Sequence, residues 1–228
     1  MKTGGTTFIQ HLRRNFPADR SYPVADDRLA RRRQYFMIDE LLAHHAAHPE
    51  TVAYSGHFPY VVSRLVDATI TMTVLREPVA RTISALRHFR LWEPRLADAT
   101  LEQIYDDEWT FALYLHNHQT RMFAMDDGDK LESFMDPIAI DEHRLALALD
   151  RLDAVDVVGV CEEFPQFVRT LGDRFGWHIA DVPNYRVSDD DDEVSADLRE
   201  RILHDNAADV ALYRRALDIV TNAGVHGG

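Results

Sequence analysis

Chemistry in this chain gathers in a few short polar stretches. The first is Met1-Lys-Thr-Gly-Gly-Thr-Thr-Phe-Ile-Gln-His-Leu12. Gly4 and Gly5 let the backbone curl around a phosphate-sized anion, and the hydroxyls of Thr6 and Thr7 offer further donors. Phe8, Ile9 and Leu12 fit a helix behind that loop. A helix N-terminus presents unpaired N–H groups and the positive end of the dipole, which favour an anion. Lys2 adds a full charge beside it. Because Lys2 precedes both glycines, the order is not that of a Walker A loop, where the lysine follows the last glycine. On its own, the same stretch also fits an untied chain terminus.

A second polar site falls where a strand ends. Residues 68–75 are rich in β-branched and apolar side chains and predict a strand. Arg76-Glu77-Pro78 follows, and Pro78 suits the first turn of a helix running to about Arg90. In open α/β sheets, ligand groups collect at such C-terminal strand ends. His57 follows a shorter strand over 51–55, within Gly56-His57-Phe58-Pro59-Tyr60. It could move a proton near neutral pH, or be a histidine satisfied at a turn. His44 and His48 have the spacing of a metal pair, but no third ligand is visible. Arg31, Arg32 and Arg33 read as a solvated face, and Cys161 reads as core.

The elements that must position these residues alternate. A loop is predicted over 15–27 and a helix over 28–45. Residues 100–125 read as helical with Thr100 as N-cap, and 141–152 as another helix. A buried strand over 155–160 leads to a helix over 164–175 that Gly176 closes. The run 189–193 is an acidic solvated loop, and Ser195 caps a last helical stretch. Strands separated by helices predict an α/β fold, a three-layer sandwich with a parallel central sheet. With 228 residues, 46% of them hydrophobic, one domain over 1–228 is expected. A net charge of -13 argues against a nucleic-acid partner. One cysteine and the lack of a leader or membrane-length apolar run lead us to expect a cytoplasmic location.

Lys2-Thr-Gly-Gly-Thr-Thr-Phe8 resembles the 5′-phosphosulfate loop of sulfotransferases that use 3′-phosphoadenylyl sulfate (PAPS), particularly the carbohydrate O-sulfotransferase-like branch. Leu75-Arg-Glu-Pro-Val-Ala-Arg-Thr-Ile-Ser-Ala-Leu-Arg-His88 is similar to the family's 3′-phosphate site. Weaker likenesses cover 56–60, 117–122, 157–164, Asn206 to Asp209, and Leu212-Tyr213. The resemblance implies a P-loop-NTPase-like central sheet and transfer of a sulfuryl group to an acceptor hydroxyl of a carbohydrate or glycoconjugate. It implies PAPS as co-substrate, bound by Lys2, Thr3, Gly4, Gly5, Thr6, Thr7, Arg76 and Ser84, and no metal. Lys2 would neutralise the leaving oxygen, Arg76 and Ser84 would hold the 3′-phosphate, and His57 would be the base. Glu162 or Glu163 is the alternative base. Arg81 and Arg121 either touch the donor or an anionic acceptor, or form surface ion pairs. A related kinase and a non-catalytic nucleotide-binding relative are the competing readings. In the family the phosphosulfate loop hangs from a central strand, and here Met1 stands where that strand would end. The expectation is therefore a longer protein with a strand upstream.

Overall fold

The computed structural model describes residues 5–24, 34–129, 137–179 and 194–225. Helix α1 (Gly5–Asn15) stacks Phe8 near Phe167 and Trp177, with centroids 5.7 and 6.0 Å away. Asn15 ties off its end by accepting from the His178 N–H at 2.6 Å. Within the predicted loop, Ser21–Tyr22 forms β1. Of the helix predicted over 28–45, residues 28–33 lie outside the described residues, and helix α2 (Ile38–Ala47) follows an extended Met37. Just before it, the Tyr35 carbonyl accepts from the backbone N–H of His57 at 2.8 Å. Strand β2 (Ala53–Tyr54) then pairs parallel with β1.

After α3 (Val61–Leu65) comes β3 (Met72–Leu75), which takes up only the second half of the expected strand. The Asp156 carboxylate accepts from both the N–H and the hydroxyl of Thr71, at 2.8 and 3.0 Å. Such side-chain bonds compete with a regular ladder. Glu77 starts α4 (Pro78–Trp92), its carboxylate accepting from the N–H groups of Val79 and Ala80. Thr100 and Gln103 form a capping box for α5 (Leu101–Tyr105). The single helix expected over 100–125 is broken. A π-helical turn at Phe111–Leu115 is followed by Asn117 in the left-handed region (φ 44°), and α6 (His118–Ala124) begins anew. Next come α7 (Glu142–Asp153), capped by Asp141, and β4 (Val157–Val160). Helix α8 (Phe164–Phe175) ends at Gly176, whose φ of 68° is the usual glycine stop. Ser195 caps α9 (Ala196–Asp205), and the chain turns at Asn206 into α10 (Ala207–Val225).

The chain is thus mixed α/β, mostly helical, with two small parallel sheets. Among the described residues, β1–β2 and β3–β4 are separate two-stranded pairs. Residue alternation gives β3–β4 two packed faces. Met72, Val74 and Val157 pack with Phe167, Val168, Leu171 and Phe8 on one side. Leu75 and Val160 pack with residues of α6, α7 and α10 on the other. Gly159 faces the first side, where an added Cβ would meet the Phe167 ring at 2.5 Å. Gly159→Ala is therefore expected to destabilise the fold by about 1–3 kcal/mol through overpacking. An unchanged urea midpoint would refute that.

Candidate functional site

Of the residues expected to form a phosphosulfate loop, Lys2, Thr3, Gly4 and the side chain of Thr6 lie outside the described residues. Gly5 is the first residue of α1, and Thr7 is buried within it. Arg76 leaves the C-terminal end of β3, and Ser84 lies half-buried on α4. His57 sits partly buried after β2, its ring stacked on Phe36 at 5.1 Å.

The Arg76–Glu77 turn is held by its backbone from two directions. The Gln119 side chain accepts from the Arg76 N–H and donates to the Arg76 carbonyl, both at 2.9 Å. Glu162, exposed at the end of β4, accepts from the Glu77 N–H at 3.2 Å and from the Tyr213 hydroxyl at 2.9 Å. Both of its oxygens are thereby engaged in structure. Glu163, also exposed, is the residue from which α8 starts.

Arg81 and Arg121 have neither of the roles expected for them. Arg81 is 0% exposed and Arg121 2%. Arg81 donates to the carbonyls of Tyr114 and Leu115, and Arg121 to those of Ala112 and Leu113. Between them they satisfy four successive carbonyls of the π-helical turn, where the negative end of a helix favours cations. Burial lowers both pKa values to about 10, with Asp209 acting in the opposite sense, so both stay charged at neutral pH. Asp209, 1% exposed, accepts from the N–H groups of Gln119 and Thr120 and from the Thr120 hydroxyl. In return, the Asn117 side-chain carbonyl accepts from the N–H groups of Ala208 and Asp209, both at 3.1 Å. The starts of α6 and α10 therefore cap each other.

Histidines near this cluster are held neutral. Burial is the main cause that keeps the pKa of both His57 and His118 well below 6.5, and the charge of Arg81 acts in the same direction on each. Burial likewise lowers those of His11, His44 and His116. An unfolded chain takes up protons on these rings near pH 6.5, whereas the folded one resists. Their contribution to stability is complete above that pH and is lost as pH falls below it. We expect up to about 1.4 kcal/mol lost per pH unit for each strongly depressed ring. Melting temperatures at pH 7, 6 and 5 and fixed ionic strength test this, and a flat profile refutes it. Cys161 is half-buried rather than in the core, and burial of its thiol pushes the pKa up to about 12, so it stays protonated at neutral pH.

Compared with protein-family models, curated proteins and solved structures, the chain matches none. Among the described residues no helix is long and apolar enough to cross a membrane, and no cluster of metal-ligating side chains forms. The supporting residues that sequence reasoning missed are Gln119, Asp209, Asn117 and Tyr213. The segments that hold them had been singled out only as weak likenesses, and the pairing across 92 positions has no local signature.

Proposed function

We propose that the protein is a PAPS-dependent sulfotransferase acting on an acceptor hydroxyl, with a carbohydrate or glycoconjugate as the class of acceptor and the cytoplasm as its location. The observation that carries the reading is a convergence. A parallel strand packed on both faces ends in Arg76, the helix after it carries Ser84, and His57 arrives from a distant strand end within electrostatic reach of Arg81 on that same helix. In this reading β3–β4, packed on both faces, is the heart of a three-layer, P-loop-like sheet. Arg76 and Ser84 hold the 3′-phosphate, since a guanidinium fork matches phosphate oxygens. Gly5, Thr7 and the start of α1 belong to the phosphosulfate loop, with Lys2 on the leaving oxygen.

A neutral His57 takes the acceptor proton as the hydroxyl attacks sulfur. Sulfuryl transfer then proceeds mainly by positioning and charge stabilisation, as phosphoryl transfer does. Two measurements test this: turnover of labelled PAPS over an acceptor panel, and titration with adenosine 3′,5′-bisphosphate (PAP). Arg76→Ala should weaken PAP by roughly tenfold or more, the loss of a charge-assisted phosphate contact. Equal PAP affinity in wild type and variant would remove the 3′-phosphate assignment.

A further inference from the structure

Resting on the sulfotransferase reading, we propose that Gln119, Glu162 and Tyr213 are positioning residues that aim the Arg76 guanidinium at the 3′-phosphate by fixing the backbone of the Arg76–Glu77 turn. A guanidinium fork binds phosphate well only if its stem leaves the backbone in the right direction. At a strand-to-helix turn that direction depends on a few dihedral angles, and here each side of the turn is tied down. Gln119 exchanges a donor and an acceptor with Arg76 as a paired β-strand would. Glu162 fixes the next N–H, that of Glu77.

These ties form one closed ring. Asp209 holds the backbone N–H of Gln119, and the Gln119 side chain holds Arg76. Glu77 follows Arg76 and bonds Glu162, which accepts from Tyr213. Tyr213 and Asp209 stand one turn apart on α10, so helix geometry closes the circuit. Gln119 is 4% exposed, Tyr213 8% and Asp209 1%, so this arc of the ring is shielded from water, where such bonds hold orientation best, while the Glu77–Glu162 link lies at the surface. The ring therefore makes the orientation of Arg76 depend on the seating of the last helix.

The test is PAP affinity measured calorimetrically on the full chain, with thermal melts to show which variants are folded. Gln119→Ala and Glu162→Ala are each expected to weaken PAP about five- to tenfold, and Tyr213→Phe about threefold. Glu162→Gln should rescue binding, because an amide can accept from the Glu77 N–H and donate to the Tyr213 oxygen. A general base at this position would not tolerate that change, so sulfate turnover should survive in Glu162→Gln as well. In an Arg76→Ala background, Gln119→Ala should add nothing further, since its effect passes through Arg76. Should Gln119→Ala fail to fold, Tyr213→Phe keeps the ring's packing and carries the same cycle. Additive losses in the Arg76 background, or wild-type PAP affinity in the folded variants, overturn the proposal while leaving the sulfotransferase reading in place. No PAP binding by the wild-type chain overturns both.

Discussion

Asp209→Ala is expected to lower the unfolding free energy by about 3–5 kcal/mol, the range for removing one partner from a buried charge network. The carboxylate is 1% exposed and accepts from Thr120 N at 2.7 Å, Thr120 Oγ1 at 2.8 Å and Gln119 N at 3.2 Å. It is also the acid that opposes the desolvation of Arg81 and Arg121. Alanine would leave two helix-start N–H groups and two buried guanidinium charges without it. Against a typical total of about 5–15 kcal/mol, that loss populates unfolded chain at ordinary temperatures. Asp209→Asn keeps an acceptor but not the charge, and should fall between the two. Urea denaturation decides the matter: an alanine variant within about 0.5 kcal/mol of wild type would mean that the network is not needed for stability.

His57→Ala is expected to cut sulfate turnover by roughly a hundredfold or more while PAP affinity stays close to wild type. The ring is anchored by its stack on Phe36 and by the backbone bond from His57 N to Tyr35 O, so its position is defined before any substrate arrives. Burial above all, with a smaller push from Arg81, keeps it unprotonated at neutral pH, the state in which it can accept a proton. The sign of the shift has a kinetic consequence. A base whose folded pKa lies below 6.5 loses activity only on the acid side of that value, so kcat/KM should stay level from pH 8 to 6.5. An acid limb centred above 6.5, or a His57→Ala enzyme with near-normal turnover, would assign the base to another residue.

Much of the local structure was legible because its causes are local. Pro78 at a helix start, Thr100, Asp141 and Ser195 as caps, and Gly176 as a stop each act within a few residues of the chain. The helix over 100–125 was misread for the opposite reason. Its break at Asn117 is imposed by bonds from that residue to the start of α10, and its carbonyls are taken by Arg81 from another helix and by Arg121 from beyond the break. Nothing in the propensity of Phe111 to Ala124 announces the partners on α10 or α4. Sheet extent failed similarly, because β-branched residues at 68–71 read as strand until Asp156 claims Thr71. Within the candidate site, Arg76, Ser84 and His57 stood out by type and motif. Glu162 did as well, but as a base, and only its two bonds reveal that it braces a turn.

The reciprocal caps of α6 and α10 also govern the order in which the molecule can mature during synthesis. Strand β3 meets β4 only after Val157 has been made, and Asn117 finds its partners only when Asp209 has followed. Chains are made at about 5–20 residues per second and fold from the N-terminus onward, so contacts this distant wait for seconds. During that interval Arg81 and Arg121 lack their acid, and the apolar faces of α6 and α7 lack α10. A nascent chain at that stage exposes the surface that chaperones bind, and a stop codon anywhere before α10 would leave it there permanently.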